Sequence, residues 1–232
     1  MVRAFLDLVF PPRCAGCDLP GTLLCDRCRA AVPRIDPASA CSRCGAPVTG
    51  VSCAECAGRT FAFRAARSAA LLEPPVSRAI VVLKDGGERR YAAVLASLLA
   101  EAADGWLGQG DVLVPVPASP AARRRRGFDH ALDVTRALGT LTGMPVAEVL
   151  RSKVTADQRT LGREQRAANR AGSFDVTGEV TGGRVVLVDD VFTTGATLDA
   201  AARALIGVGS PTIRALSVAR ACSRATPAEV RA

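Results

Sequence analysis

The stretch VVLVDDVFTTGAT, from Val185 to Thr197, sets two adjacent acids beside hydroxyls and a glycine. An unbroken apolar run reads as a strand buried on both faces, as in a parallel sheet. In open α/β sheets, ligands sit beyond the carboxyl ends of the strands, which is where Asp189 and Asp190 fall. Thr193, Thr194, Gly195, Ala196 and Thr197 then make a small-residue turn into a helix. Such a turn offers free backbone N–H groups, and the threonine hydroxyls add donors, so the segment can cradle a phosphate. The two carboxylates can accept from a pair of hydroxyls. A phosphate ester of a sugar diol satisfies both halves. An aspartate that merely caps the next helix explains Asp190 but not two acids followed by Thr-Thr-Gly-x-Thr.

A second chemistry lies at the other end of the chain. Eight of the nine cysteines form four C-x-x-C pairs: Cys14/Cys17, Cys25/Cys28, Cys41/Cys44 and Cys53/Cys56. Each pair can point two thiolates at one ion, and four thiolates close a tetrahedral structural zinc site. A redox C-x-x-C occurs once at a helix start, and disulfide frameworks belong to exported chains, so the repeat favours metal. Sequential pairing gives Cys14, Cys17, Cys25 and Cys28 in one site, and Cys41, Cys44, Cys53 and Cys56 in the other. Spacing alone does not exclude interleaved pairing. Cys222 stands alone and reads as a small residue or free thiol.

The elements that must position these groups follow from periodicity. Strands are expected at 66–72, 111–116, 146–150, 184–188 and 212–218, and helices at 75–83, 89–102, 128–138, 161–170 and 196–206. The segment after Val116, which carries the Arg123–Arg126 run, reads as a basic loop. Alternating strands and helices imply a mostly parallel α/β sheet with helices on both faces, preceded by a small cysteine-rich domain. The expected boundaries are a zinc-ribbon domain over 1–60, an α/β domain over 61–220 and a disordered tail over 221–232.

Composition narrows the classes. In 232 residues, 49% hydrophobic and 22% charged, there is room for one ordinary domain and a smaller one. No apolar run nears the ~20 residues that span a bilayer, and Asp7 breaks the first apolar stretch, so membrane insertion and export are not expected and a cytoplasmic protein is. The net charge of +8 suggests nucleic acid, but Lys84 and Lys153 are the only lysines, and so arginine-rich a composition also reads as coding bias. Neither GxGxxG nor GxxxxGK[ST] is present.

VVLVDDVFTTGAT closely resembles the phosphoribosyl-diphosphate (PRPP) motif of type I phosphoribosyltransferases. Three further stretches, VLKDGG from Val82, VPVPASPAARRRRGFDHA from Val114 and DQRTLGREQRAANRAGSF from Asp157, together with the cysteine pairs, resemble the ComF/GntX-like family of competence-associated proteins. That family joins an N-terminal zinc ribbon to a phosphoribosyltransferase domain, and the resemblance runs over roughly residues 5–220. Family-typical positions are Lys84, Gly127, Phe128, Gln158, Leu161, Arg166 and Asn169. Where the family reads G-F-N-Q, this chain has Gly127-Phe128-Asp129-His130.

The resemblance implies that Asp189 and Asp190 hold the ribose hydroxyls and act catalytically, their charge favouring an oxocarbenium-like centre. It implies that Val191, Phe192, Thr193, Thr194, Gly195, Ala196 and Thr197 hold the 5-phosphate. Pyrophosphate candidates are Lys84, Ala118, Ser119 and Arg126, with Mg²⁺ neutralising the leaving group. His130 is expected to cap a helix or lie on the surface. Three functions compete: a transferase with an unidentified acceptor, an accessory protein binding PRPP and single-stranded DNA or the DNA-uptake machinery, and a PRPP sensor without turnover. Aromatics for base stacking are few, and Phe5, Phe10, Phe61 and Phe63 lie near the cysteines.

Overall fold

The computed structural model describes residues 11–48, 50–153, 172–180, 183–210 and 212–223. In chain order the elements are α1 (Asp26–Ala30), β1 (Ala65–Leu71), α2 (Val76–Lys84), α3 (Tyr91–Ala102), β2 (Asp111–Pro115), α4 (Pro120–Arg126) and α5 (His130–Thr142). They continue with β3 (Leu150–Ser152), β4 (Phe174–Val176), β5 (Arg184–Phe192), α6 (Ala196–Ile206) and β6 (Ile213–Arg220). Strands β1, β6, β5 and β2, in that order, form one parallel sheet, and β3 pairs antiparallel with β4.

Alternation along β5 feeds two cores. Val186 and Val188 pack with Leu83 of α2, Leu95 and Leu99 of α3 and Leu138 of α5. Val185 and Leu187 pack with Leu198, Ala201 and Leu205 of α6. The sheet is therefore covered on both faces, as the apolar strands require.

The cysteine-rich segment wraps the outer edge of β1. Leu71 N–H donates to Pro33 O at 2.9 Å, and Ile35 N–H donates to Ala69 O at 3.1 Å. This antiparallel pairing closes an edge that would otherwise present unpaired backbone groups. On one side of it, Ala15 and Val32 are buried with α2 and α3. On the other, Cys44, Ala46 and Cys56 are buried against the α6 face. Arg29 and Arg34 both reach Glu101 at 3.0 Å, adding a surface tie to α3.

Several elements differ from the sequence-based expectation. The strand expected at 184–188 runs on through Phe192, because β6 pairs with it as far as Arg220. Partner β2 stops at Pro115, opposite Val188, so both aspartates overhang it. The strand expected at 146–150 reduces to two hydrogen bonds beside Leu113 before β3 begins at Leu150. The basic loop is a helix, α4. Ser119 Oγ accepts from Ala122 N–H at 3.2 Å, Pro120 fills the first turn, and Gly127 ends it at φ 78°. These are ordinary start and stop signals, and four arginines in the last turn complement the helix dipole. The helix expected at 161–170 lies outside the described residues. Among the described residues, no helix is long and apolar enough to cross a membrane.

Candidate functional site

A cleft of about 400 Å³ opens where β5 overhangs β2. Asp189, Asp190 and Thr197 line one side of it, the Ala118–Ser119 segment another, and Lys84 and His130 close its end. A second hollow, of about 520 Å³ at the opposite end of β5, has Glu179 as its only ionisable lining residue and offers no comparable chemistry.

Two helix ends supply the groups around Asp190. Lys84 is the last residue of α2, and its ammonium contacts Asp190 Oδ2. His130 is the first residue of α5, and its Nε2 lies 3.4 Å from the same oxygen. Asp190 and His130 are buried, at 5% and 6% exposure. Burial alone would raise the Asp190 pKa, but the His130 imidazole and the Lys84 ammonium bring it below the usual carboxylate range. Asp189 differs. Burial first, and then the Asp190 charge, push its pKa well above the ordinary value, although its Oδ1 accepts from Asp190 N–H at 2.9 Å. The adjacent acids thus sit in opposite electrostatic environments.

The segment after β5 has its carbonyls tied back. Arg220 Nη1 donates to Phe192 O at 3.1 Å and to Thr193 O at 2.7 Å, and Arg59 Nη1 donates to Thr194 O at 3.2 Å. Across a trans peptide, a C=O and the following N–H point in opposite directions. The N–H groups of Thr193, Thr194 and Gly195 therefore face away from these arginines, and they find no acceptor among the described residues. Gly195 has φ 80°, and a Cβ there would lie 2.7 Å from Phe192 and 2.9 Å from Phe61. Only glycine fits that turn. Helix α6 follows directly with no side-chain cap from Gly195; its first amide, Ala196 N–H, donates to Thr194 Oγ1 at 3.4 Å, and the Thr197 and Leu198 amides find no acceptor among the described residues. Thr193, Thr194 and Thr197 are exposed. Free amides and exposed hydroxyls thus follow the two carboxylates along the chain, a donor set that can receive an anion; of this segment Val191 and Thr197 line the cleft itself.

The other candidate residues divide. Ser119 lines the cleft while its hydroxyl caps α4. The Ala118 N–H already donates to Asp129 Oδ2 at 3.0 Å. Asp129 Oδ1 also accepts from Ala131 and Leu132 N–H, capping α5, so Asp129 fixes both the loop after β2 and the helix carrying His130. Arg126 turns towards Asp85, 3.3 Å away, and does not line the cleft. His130, expected as a cap or surface residue, is neither. Its neighbour is the cap, and the ring packs against Asp190. A lone histidine directly after the G-F-x motif was the signal for it. Phe5, Phe10, Gln158, Leu161, Arg166 and Asn169 lie outside the described residues.

The eight paired cysteines gather in sequence order. The sulfurs of Cys14, Cys17, Cys25 and Cys28, and those of Cys41, Cys44, Cys53 and Cys56, lie within 4.8 Å of one another in each set. Sγ–Sγ separations include 3.7 and 3.8 Å in the first set and 3.7 and 3.6 Å in the second. A tetrahedron with zinc–sulfur bonds of about 2.3 Å has edges of about 3.8 Å, so both clusters fit zinc. Burial opposes ionisation of Cys14, yet the N–H groups of Cys17, Cys25 and Gly16 bring it down to about 6. A hydrogen bond shared with Cys25, and then burial, push Cys28 up to about 12. Such unequal thiols, packed together, are reconciled by a dication. Cys222 joins neither set.

Comparison with known proteins agrees with this geometry. A double zinc ribbon domain model matches residues 5–61, and a phosphoribosyl transferase domain model matches residues 92–230. The chain is 30% identical over 227 residues to the DNA utilization protein YhgH of Salmonella typhimurium, covering 92% of this chain and 99% of that protein. It is 33% identical over 116 residues to competence protein F of Haemophilus influenzae, covering 48% of this chain and 51% of that one. It is 31% identical over 98 residues to competence protein ComFC of Bacillus subtilis, covering 42% and 39%. With a double zinc ribbon wrapped on a phosphoribosyltransferase-type α/β domain, the chain belongs to the ComF-like family.

Proposed function

We propose that the cleft binds PRPP. The observation that carries this reading is the orientation of the Phe192–Gly195 peptides: three carbonyls are held by Arg220 and Arg59, and three amides face away from those arginines, in the segment that directly follows Asp189 and Asp190 in the chain. The amides and the Thr193, Thr194 and Thr197 hydroxyls would hold the 5-phosphate, and the acids would accept from the ribose 2- and 3-hydroxyls. Asp190 is kept ionised for this by Lys84 and His130. Lys84 and Ser119 then face the pyrophosphate. Mg²⁺ bound with the ligand would supply charge neutralisation of the pyrophosphate oxygens. The protein's own part is positioning and electrostatics, with an ionised carboxylate beneath a ribose that gains positive charge as its C1–O bond to pyrophosphate breaks. The ribbon is proposed as a unit over 1–60 and the transferase-type domain over 61–220. Titration with PRPP and Mg²⁺, with Asp189→Ala/Asp190→Ala as the control, tests the reading. Release of pyrophosphate on adding candidate acceptors separates an enzyme from a sensor.

A second reading is supported by a different observation. A cleft of about 510 Å³ adjoins the first, sharing Ala118 and Ser152, and is lined by Arg123, Arg124, Arg151 and Phe128. Among the described residues, these three arginine side chains make no ion pair. Exposed guanidiniums beside an aromatic ring suit a single-stranded nucleic acid, phosphates on the arginines and a base on the ring. The relatives' names, DNA utilization protein and competence protein, point the same way. Arg89 already sits over the Phe128 ring, 5.3 Å from its centroid, so a base has one ring face at most, and the other aromatics are engaged: Trp106 is covered by Arg67 and Arg214, and Phe61, Phe63 and Phe192 pack on one another. This favours a short contact rather than a long stacking platform. Binding of an oligothymidylate across a salt series tests it.

A further inference from the structure

Arg220 is the last residue of β6 and 1% exposed. A buried guanidinium is costly unless its donors are satisfied. Here they are spent on two separate parts of the molecule. Nη1 donates to Phe192 O, Thr193 O and Ala221 O. Nε donates to Cys44 O at 3.1 Å, and Nη2 lies 3.6 Å from Glu55 Oε2. Cys44 belongs to the second cysteine cluster, and Glu55 sits between Cys53 and Cys56 of the same cluster. The other Glu55 oxygen accepts from Ser223 N–H at 2.7 Å, clamping the chain just past β6. The guanidinium also stacks over Phe192, 4.5 Å from the ring centroid. Phe192 in turn meets Phe61 edge-on, at 5.9 Å. Arg59, three residues beyond Cys56, holds the next loop carbonyl, Thr194 O.

We propose that Arg220 is a positioning residue through which the second cysteine cluster sets the shape of the phosphate loop. The inference rests on reading 191–197 as that loop. Metal in this cluster fixes the Cys41–Cys44 and Cys53–Cys56 turns. Those turns fix the Cys44 carbonyl and the Glu55 carboxylate, and these orient the Arg220 fork. The fork ties Phe192 O and Thr193 O back onto the buried guanidinium, which turns the Thr193 and Thr194 amides towards the ligand. A lysine cannot satisfy these acceptors together, because its donors radiate from one atom, whereas the planar fork spreads its own over three nitrogens. The first cluster has no such link: its described contacts run to α2 and α3, through Asp18 with Arg78 and through Arg29 with Ser97 and Glu101.

The test combines a ligand-free readout with a binding one. Hydrogen exchange by mass spectrometry on zinc-loaded full-length protein should show faster exchange over 189–197 in Arg220→Lys and in Cys53→Ser, with 130–142 unchanged. PRPP–Mg²⁺ affinity should fall by about tenfold or more in both variants, as expected for lost charge-assisted hydrogen bonds. Arg34→Ala, which cuts the Arg34–Glu101 tie, should keep wild-type affinity. If either variant folds poorly, graded chelation of the wild type replaces it: loosening of 189–197 should track loss of zinc from the second cluster, located by protection of its thiols from alkylation. Wild-type exchange and affinity in Arg220→Lys, or loop exchange indifferent to second-cluster zinc, overturns the proposal. Loop exchange that tracks the zinc in a protein that binds no PRPP upholds the coupling and removes the PRPP reading instead.

Discussion

The imidazole Nε2 of His130 lies 3.4 Å from Oδ2 of Asp190, the same oxygen that Lys84 contacts, with both side chains buried. A single carboxylate oxygen is thus gripped from the ends of two helices. Its neighbour Asp189 is held by one backbone amide and faces the Asp190 charge.

Opposite stability effects follow for the two acids. Asp190→Asn should destabilise the protein by about 2 kcal/mol or more at neutral pH, because it strands Lys84 without its anion. Asp189→Asn should stabilise it by on the order of 1 kcal/mol, because it removes a half-buried carboxyl whose ionisation is opposed by the Asp190 charge. Denaturant melts of both variants check the signs.

The pH dependence is also opposite. The folded Asp190 pKa is depressed, so its contribution is present above the unfolded value of about 4 and is lost as pH falls through the folded value. The folded Asp189 pKa is raised, so stability falls as pH rises from about 4 upward through its folded value. Wild type and Asp189→Asn should converge in stability below pH 4 and separate above it, as thermal melts across pH would record.

His130 stands where the G-F-N-Q pattern that this stretch resembles has glutamine. Glutamine keeps a donor for Asp190 Oδ2, whereas leucine leaves that buried oxygen with Lys84 alone. His130→Gln should stay within about 1 kcal/mol of wild type, and His130→Leu should lose about 1–3 kcal/mol. Chemical denaturation of the two side by side decides it.

Much of this was legible in sequence because the chemistry is local. The Asp189–Thr197 segment carries its acids, hydroxyls and glycine in one run, and each cysteine pair is a turn in itself. The parallel sheet followed from buried strands alternating with helices. What was not legible depends on distant partners. That β5 continues through Phe192 is set by pairing with β6, 28 residues away. Arg220 falls two residues past the strand expected at 212–218, and nothing near it in sequence says that it reaches Cys44, 176 residues earlier. Helix α4 is a different case: the Ser119-Pro120 start and the Gly127 stop were present, and four arginines in a row obscured them.

Zinc should be found at two equivalents per chain by elemental analysis. Its removal should release the segment that closes the β1 edge, and so lower the melting temperature and raise exchange of the 65–71 backbone. An unchanged melt after complete metal removal would show that the ribbon holds its shape without zinc.

Charge reversal at Arg123, Arg124 and Arg151 should flatten the salt dependence of oligothymidylate binding by about two units of log–log slope, at ~0.7 per phosphate contact. An unaltered slope would place any nucleic-acid contact elsewhere.

The most direct test of the central claim is calorimetric titration of PRPP with Mg²⁺ into zinc-loaded wild type and into Asp189→Ala/Asp190→Ala. The account predicts saturable one-to-one binding to the wild type and none to the variant. Equal binding by both, or no binding to folded, zinc-loaded wild type, would contradict it.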